Sequence, residues 1–420
     1  MARDSSDAAR AERPLDALNF FLADVRDGLG PYLAIYLLAV QNWNEASIGV
    51  VMSIAAVAGI LAQTPAGALI DKTTAKRAAV VIAAIVVTIT SVVLPLYPGF
   101  TFVAATQALT GIAAAVFAPA MAAITLGIVG PKAFARRIGR NEAFNHAGNA
   151  AAATMAGISA YFFGPIVVFW LMALMAVASI FATLTVPDEA IDHNVARGLA
   201  DDHDHAEPDD PHRPSGFQVL LTCRPLLIFA AATVLFHFSN AAMLPLVGQK
   251  LALVNKDLGT TLMSVCIVAA QLVMVPVAML VGAKADVWGR KPIFAVALAV
   301  LTLRGVLYPF SDNPYWLVGV QLLDGVGAGI FGALFPLVVA DLTRGTGHFN
   351  ISQGAIATAA GLGGALSTTV AGLIIVSAGY SAAFLSLAAI SGIALALFLL
   401  MMPETGPSAS ASVPNAAALV

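Results

Sequence analysis

Apolar runs of about 20 residues recur along this chain, each long enough to cross a ~30 Å hydrocarbon core as a helix. In lipid the backbone polar groups must be satisfied within the segment or by a closed barrel. The runs lack period-two alternation and are rich in Ala, Gly and Leu, which favours helices over strands. Of the 420 residues, 11% are charged and 59% hydrophobic, against roughly 25% charged in soluble domains. The fold class expected is an all-α membrane protein.

Polar and Gly/Pro breaks divide the runs into twelve transmembrane spans. The first six lie near 16–39, 47–70, 76–97, 100–129, 139–163 and 164–186. The second six lie near 217–247, 258–284, 290–310, 314–341, 349–378 and 381–402. This organisation predicts a tail at 1–15, a six-helix bundle at 16–186, a linker at 187–216, a second six-helix bundle at 217–402 and a tail at 403–420. The polar, partly acidic start does not resemble a cleavable signal peptide. The linker holds nine acids, two arginines and four histidines. Such a composition buries too little apolar surface to offset its ordering entropy and reads as flexible. Its run from Asp201 to His205, with His212, carries imidazole and carboxylate suited to a divalent metal, though such runs are more often merely solvated. No cofactor or resident metal is expected, and Cys223 and Cys266 are isolated.

The second six spans repeat the first. Gly67 and Asp71 recur as Gly282 and Asp286 at an offset of 215. Ala156, Gly157 and Gly164 recur as Ala371, Gly372 and Gly379 at the same offset, and Gln107 and Gly111 recur as Gln321 and Gly325 at 214. Lys and Arg placement sets the orientation. With both termini cytoplasmic, the inner loops hold Lys72, Lys76, Arg77, Lys132, Arg136, Arg137, Arg140, Lys284, Arg290, Lys291 and Arg344, and the outer loops only Lys250 and Lys256. A multi-pass protein of the cell inner membrane, in contact with lipid and working as a monomer, is the expectation.

The charged turns carry a family resemblance. Gly282, Asp286, Gly289, Arg290 and Lys291 match a loop signature of the major facilitator superfamily, and the first copy keeps Gly67, Asp71 and Lys72 but has Thr74 where the turn glycine is usual. From Leu15 to Glu404 the chain resembles a bacterial, twelve-helix member of that superfamily, of the drug/proton-antiporter-like branch. The resemblance implies two pseudo-symmetric six-helix bundles rocking about a central cavity.

Ionisable groups inside the spans are costly and normally face a partner or a cavity. Asp24, Arg26 and Asp27 in the first span, and Asp324 in the tenth, are therefore candidate substrate or proton sites, with Asp324 a partner for Arg26. Arg304 is read as snorkelling to water. His237 and Asn240 share a face of the seventh span, and Gln63, Gln107, Gln271 and Gln321 offer uncharged polar contacts. Glu142, Asn145, His146 and Asn149 form a stripe at helical spacing, suited to a gate, a proton relay or interhelical hydrogen bonding. Asp71, Lys72, Asp286, Arg290 and Lys291 form the candidate latches. The glycine-rich signature of drug/proton antiporters is incomplete here, and its presence in both halves suits close helix packing better.

The leading expectation is a secondary active transporter using alternating access, with protons and a small organic molecule as partners and proton-coupled export as its direction. The alternative is an uptake symporter or facilitator for an organic anion, sugar or metal chelate, with Arg26 and Arg304 as anion ligands. A non-transporting receptor is a third class. No nucleotide-binding loop or soluble catalytic domain supports an enzyme, and a net charge of −3 gives no hint of nucleic-acid binding.

Overall fold

The computed structural model describes residues 5–27, 30–164, 166–199, 216–254 and 259–407. All regular structure among them is helical. The order is α1 (Ser5–Asp27), α2 (Gly30–Ala39), α3 (Glu45–Lys72), α4 (Lys76–Val93), α5 (Phe100–Ala114), α6 (Phe117–Phe163) and α7 (Val167–Thr185). After the short α8 (His193–Ala196) and α9 (Gly216–Thr222) come α10 (Arg224–Ala241), α11 (Met243–Val254), α12 (Gly259–Trp288), α13 (Arg290–Leu307), α14 (Pro314–Leu342) and α15 (Phe349–Met401). Among the described residues, nine helical stretches are long and apolar enough to cross a membrane. Large apolar side chains point outward along them, including Leu61, Phe181, Leu373 and Leu400. That outer surface suits lipid, which supplies no penalty for exposed hydrocarbon. The fold is an all-α, multi-spanning membrane fold.

Two compact units divide the contacts. The first comprises 1–134, 144–204 and 347–355; the second comprises 135–143, 205–346 and 356–420. In the first, Leu15, Leu18, Leu22, Val87, Phe117 and Met172 are buried in one core, and the Tyr36 ring meets Phe169 edge-on at 4.9 Å. In the second, α10 and α14 interleave a stack of rings. Phe236 lies 4.9 Å from Phe331, Phe331 5.4 Å from Phe335, and Phe335 6.0 Å from Phe229.

The repeat visible in the sequence reappears as packing inside each unit. A Cβ on Gly111 of α5 would strike the carbonyl of Ala55 on α3; one on Gly325 of α14 would strike that of Ala270 on α12. Gly148 lies on the Phe20 carbonyl and Gly363 on the Val234 carbonyl in the same way. Close helix packing thus accounts for those glycines, but a Cβ on Gly157 or Gly372 meets nothing within 4 Å. The α4 helix ends in a 3-10 turn, Leu94–Leu96, and α13 in another, Tyr308–Phe310.

Three boundaries differ from expectation. The first span, placed at 16–39, begins as helix at Ser5, and its helix α1 ends at Asp27. The fifth, placed from 139, is helical from the turn at Gly130 (φ +69°) onward. Pro131 suits the first helical position because its missing N–H is unneeded there, so Lys132, Arg136 and Arg137 sit on a helix, not in a loop. The linker's first part, through Leu199, is packed, with Ile191, Val195, Ala196 and Leu199 buried. Residues 200–215, including the Asp/His run and His212, lie outside the described residues.

Gly111→Ala and Gly325→Ala should each destabilise the protein by ~1–3 kcal/mol through overpacking. Gly157→Ala and Gly372→Ala should be neutral or stabilising by up to ~1 kcal/mol, because only helix propensity changes. Thermal unfolding in detergent reads both pairs.

Candidate functional site

An arginine buried in the apolar helix α13 is costly, and its surroundings show how it is accommodated. Arg304 is 1% exposed, so it does not snorkel to water. Its Nη1 donates to Asn240 Oδ1 of α10 at 2.6 Å and forms an ion pair with Asp324 of α14. Its Nε donates to the Tyr308 hydroxyl at 3.0 Å. Tyr308 in turn donates to Gln321 Oε1, and Gln321 Nε2 donates to Asp324 Oδ2 at 2.9 Å. Arg304 and Tyr308 are one turn apart, as are Gln321 and Asp324, so two helices present matched pairs. The third guanidinium nitrogen, Nη2, is buried without a protein partner among the described residues. The corresponding helices of the first unit hold a neutral pair instead: Thr90 and Thr110, each 214 residues earlier, share a buried hydrogen bond of 2.8 Å.

His237, three residues before Asn240, is half-buried, with Nδ1 3.0 Å from the Thr233 carbonyl oxygen and its ring against Phe331. Asp24 is half-buried on α1. Arg26 is exposed in the last turn of α1, where the negative helix end favours a cation. Asp27 closes that helix, and its side chain lies outside the described residues.

The charged turns use carboxylates to cap helices. In the first unit, Asp71 at the end of α3 is buried and accepts from Asn350 N (3.1 Å), Asn350 Nδ2 (2.8 Å) and Ile351 N (2.8 Å), in the first turn of α15. Those N–H groups have no intrahelical acceptor, so the carboxylate and the helix end satisfy each other. Gly67 makes this approach possible, since a Cβ there would collide with the Asn350 carbonyl. The packed linker segment joins in. Asn350 Nδ2 also donates to the Ala196 carbonyl (3.0 Å), and Phe349 N to the Arg197 carbonyl (3.2 Å). Asp192 N reaches the Gly127 carbonyl at 3.2 Å, and Asp188 pairs with Arg77 at 3.6 Å.

The second unit builds its turn differently. Gly289 (φ +87°) starts α13, and the space its Cβ would fill is taken by the Glu404 carboxylate. Glu404 Oε1 accepts from Arg290 N at 2.7 Å and Oε2 from Lys291 N at 3.1 Å. Arg290, buried, bridges Asp286 (2.8 Å) and Asp341 (2.9 Å). In the first unit Thr74 has no positive φ, and Lys76 instead donates to the Thr73 carbonyl at 2.6 Å.

The Major Facilitator Superfamily model matches residues 16–344 and again 251–419. The chain belongs to the Major Facilitator Superfamily. Two Mycobacterium tuberculosis proteins, from strains CDC 1551 / Oshkosh and ATCC 25618 / H37Rv, are 65% identical over 397 residues, covering 94% of this chain and of each relative. Both are described as uncharacterized MFS-type transporters. Among solved structures the fold is similar to FucP, a superfamily transporter in the outward conformation, with TM-score 0.73, 13% identity and coverage of 94% and 99%. It is also similar to the human organic anion transporter MFSD10, with TM-score 0.67, 16% identity and coverage of 93% and 99%. The chain is a membrane-embedded secondary transporter of a small molecule and not an enzyme.

Within this superfamily chain, the structure joins Asn240 and Asp324 around Arg304 and surrounds Asp71, Asp286, Arg290 and Lys291 with hydrogen-bond partners. Lys72 is exposed. The stripe is divided: Glu142 belongs to the second unit, where it approaches Gly332, whereas Asn145, His146 and Asn149 belong to the first. Sequence reading missed Tyr308, Asn350, Asp341 and Glu404 as site residues. A signal existed for Glu404, because Pro187-Asp188-Glu189 recurs as Pro403-Glu404 at an offset of 216.

The linker segment also carries a pH dependence. Burial pushes the His193 imidazole below its usual range, Lys76 pushes the same way, and Asp188 and Asp192 oppose. A lowered folded-state value means the docked segment is stabilised above the unfolded value of about 6.5 and loses that stability as pH falls through it. Amide exchange across 191–199, corrected for intrinsic rate, should therefore quicken on going from about pH 7.5 to about pH 5.5, and His193→Gln should remove the difference.

Proposed function

We propose that the chain is a proton-coupled symporter of a small organic anion, working by alternating access. One observation carries this reading: a buried guanidinium, Arg304, is paired with an acid, Asp324, and keeps one donor group, Nη2, without a protein partner among the described residues. An anion is the ligand such a donor suits, and an arginine presents two N–H groups in parallel to a carboxylate. Proton and anion then assist each other. A proton on Asp324 cancels the charge that occupies Arg304, which strengthens anion binding; bound anion favours the proton in return. Mutual assistance makes co-transport the economical cycle. Export by antiport, as the drug/proton-antiporter resemblance implies, needs proton and substrate to compete. The fold likeness to a human organic anion transporter supports the same substrate class.

The architecture that serves this cycle is twelve spans in two six-helix bundles, 16–186 and 217–402. Dividing the two longest apolar stretches at Gly130 and Gly379, and adding the first helix, supports that count. The linker at 187–216, the tails at 1–15 and 403–420 and both termini are cytoplasmic, in a monomer of the inner membrane, as the Lys/Arg bias supports. Asp71 with Asn350, and Arg290 with its acids, act as latches that open during the cycle. Asp24, Arg26, Asp27 and His237 are further substrate or proton contacts, and the stripe from Glu142 to Asn149 contributes to gating.

Proteoliposomes loaded at alkaline pH and diluted into acid medium, with a panel of radiolabelled carboxylates, test the assignment. An inward proton gradient should drive accumulation of at least one anion. Arg304→Lys should lower uptake by ten- to a hundredfold, the loss of about one charge-assisted hydrogen bond. Asp324→Asn should abolish acceleration by the gradient while leaving anion exchange. Substrate movement opposite to the proton flow, or Arg304→Lys without effect, overturns the symport reading.

A further inference from the structure

Arg304, Tyr308, Gln321 and Asp324 close into a ring, and hydrogen-bond bookkeeping gives the ring a direction. Arg304 can only donate and an ionised Asp324 can only accept. Tyr308 has one hydroxyl hydrogen, which goes to Gln321 Oε1, while its oxygen accepts from Arg304 Nε. The Gln321 amide is therefore set one way round, Oε1 to Tyr308 and Nε2 to Asp324 Oδ2. The four contacts that close the ring are all matched only while Asp324 is ionised.

Protonation breaks that match at one point. Asp324 Oδ1 faces the Arg304 cation, so the proton settles on Oδ2, where its O–H points at the N–H of Gln321. Turning the amide by about 180° restores a bond, with Oε1 now accepting from Asp324. The same turn brings Nε2 to Tyr308. The phenol oxygen must then accept from Gln321 as well as Arg304, and its hydrogen must turn away. Arg304 thus loses its charge partner at Nη1 and shares its acceptor at Nε. One proton loosens two of its contacts.

We propose that Gln321 is a positioning residue that, through this amide turn and Tyr308, converts protonation of Asp324 into release of Arg304 toward the anion. The inference rests on the anion-symport reading. Among the described residues, other ionisable groups near the ring are few. The Cys266 thiol on α12 is buried and close enough to feel Arg304. The α10 face contributes His237, whose Nδ1 is next to the Thr233 carbonyl. On α15 the Phe384 ring lies against Tyr308, with Lys250, itself paired with Asp312, beyond it. None of these is bonded into the ring, so the proton reaches the Nε contact of Arg304 through Gln321 and Tyr308, beside its direct effect at Nη1.

Infrared difference spectra of the full chain in lipid nanodiscs, titrated with acid, test the switch without knowledge of the substrate. The Gln321 side-chain amide band, assigned by its loss in Gln321→Leu, should change at the same pH as the Asp324 carboxyl band, assigned by its loss in Asp324→Asn. Asp324→Asn, whose amide N–H imitates the protonated acid, should hold Gln321 turned at every pH. Tyr308→Phe should weaken the resting orientation and flatten the amide step. In transport, the anion KM of the wild type should fall by about tenfold per pH unit over the acid limb, the slope of one linked proton, and this dependence should flatten in Gln321→Leu while kcat persists. A carboxyl band that appears without an amide change, no carboxyl band at all, or an intact amide step in Tyr308→Phe overturns the switch; Gln321→Met and Asp324→Ser supply the same band assignments where the first variants misfold. Anion uptake absent despite a coupled infrared step overturns the parent reading instead.

Discussion

A guanidinium withdrawn from water must be neutralised and hydrogen-bonded, and that requirement organises the second unit. Arg304 recruits an acid from α14, an amide from α10 and a phenol from its own helix, so one charge fixes the rotation of three helices. The glycines then set how near those helices come. Gly325 lets α14 lie on the backbone of α12, which is where the Asp324 turn begins. Position and charge are thus mutually dependent, as expected where polar groups find no water.

The capping carboxylates apply the same rule at the helix ends. Asp71 and Glu404 each take several backbone N–H groups at a helix start, which would otherwise stay unsatisfied. The two turns diverge in detail because only one has a glycine free to adopt positive φ. With Gly289 the carboxylate of Glu404 fits directly against the backbone; with Thr74 the equivalent acid region, Asp188, meets the Arg77 side chain instead. The turn glycine therefore has a physical reason here, namely the room its missing side chain leaves for an acid from the segment that follows a distant helix.

The apolar runs and the repeat were legible in the sequence because both are properties of composition and spacing. Gly111 and Gly325 were found by offset alone, and both mark close helix crossings. Partnerships across helices were not legible. Arg304 was read as an end-of-helix residue reaching water, and nothing in linear spacing brings it to Asp324 or Asn240. The linker misled for a different reason. Its average polarity hides four apolar residues, Ile191, Val195, Ala196 and Leu199, whose burial docks the first part of the segment. Boundaries shifted where charge suggested a loop but helix propensity prevailed, as after Pro131.

The repeat also supplies a control for the Arg304 site. At the matching positions the first unit uses Thr90 and Thr110, an uncharged pair in hydrogen-bond contact. That contact shows that a neutral, compact pair satisfies this helix crossing. Replacing such a pair by ions brings little stability, because desolvating two charges roughly cancels their attraction, by several kcal/mol per ion on each side. The second unit nevertheless carries a full charge pair, with a phenol and an amide arranged around it. An arrangement that packing does not require, and that desolvation opposes, is most simply understood as serving a ligand. The asymmetry between otherwise matched helices therefore supports the proposal that α10, α13 and α14 hold the ligand site.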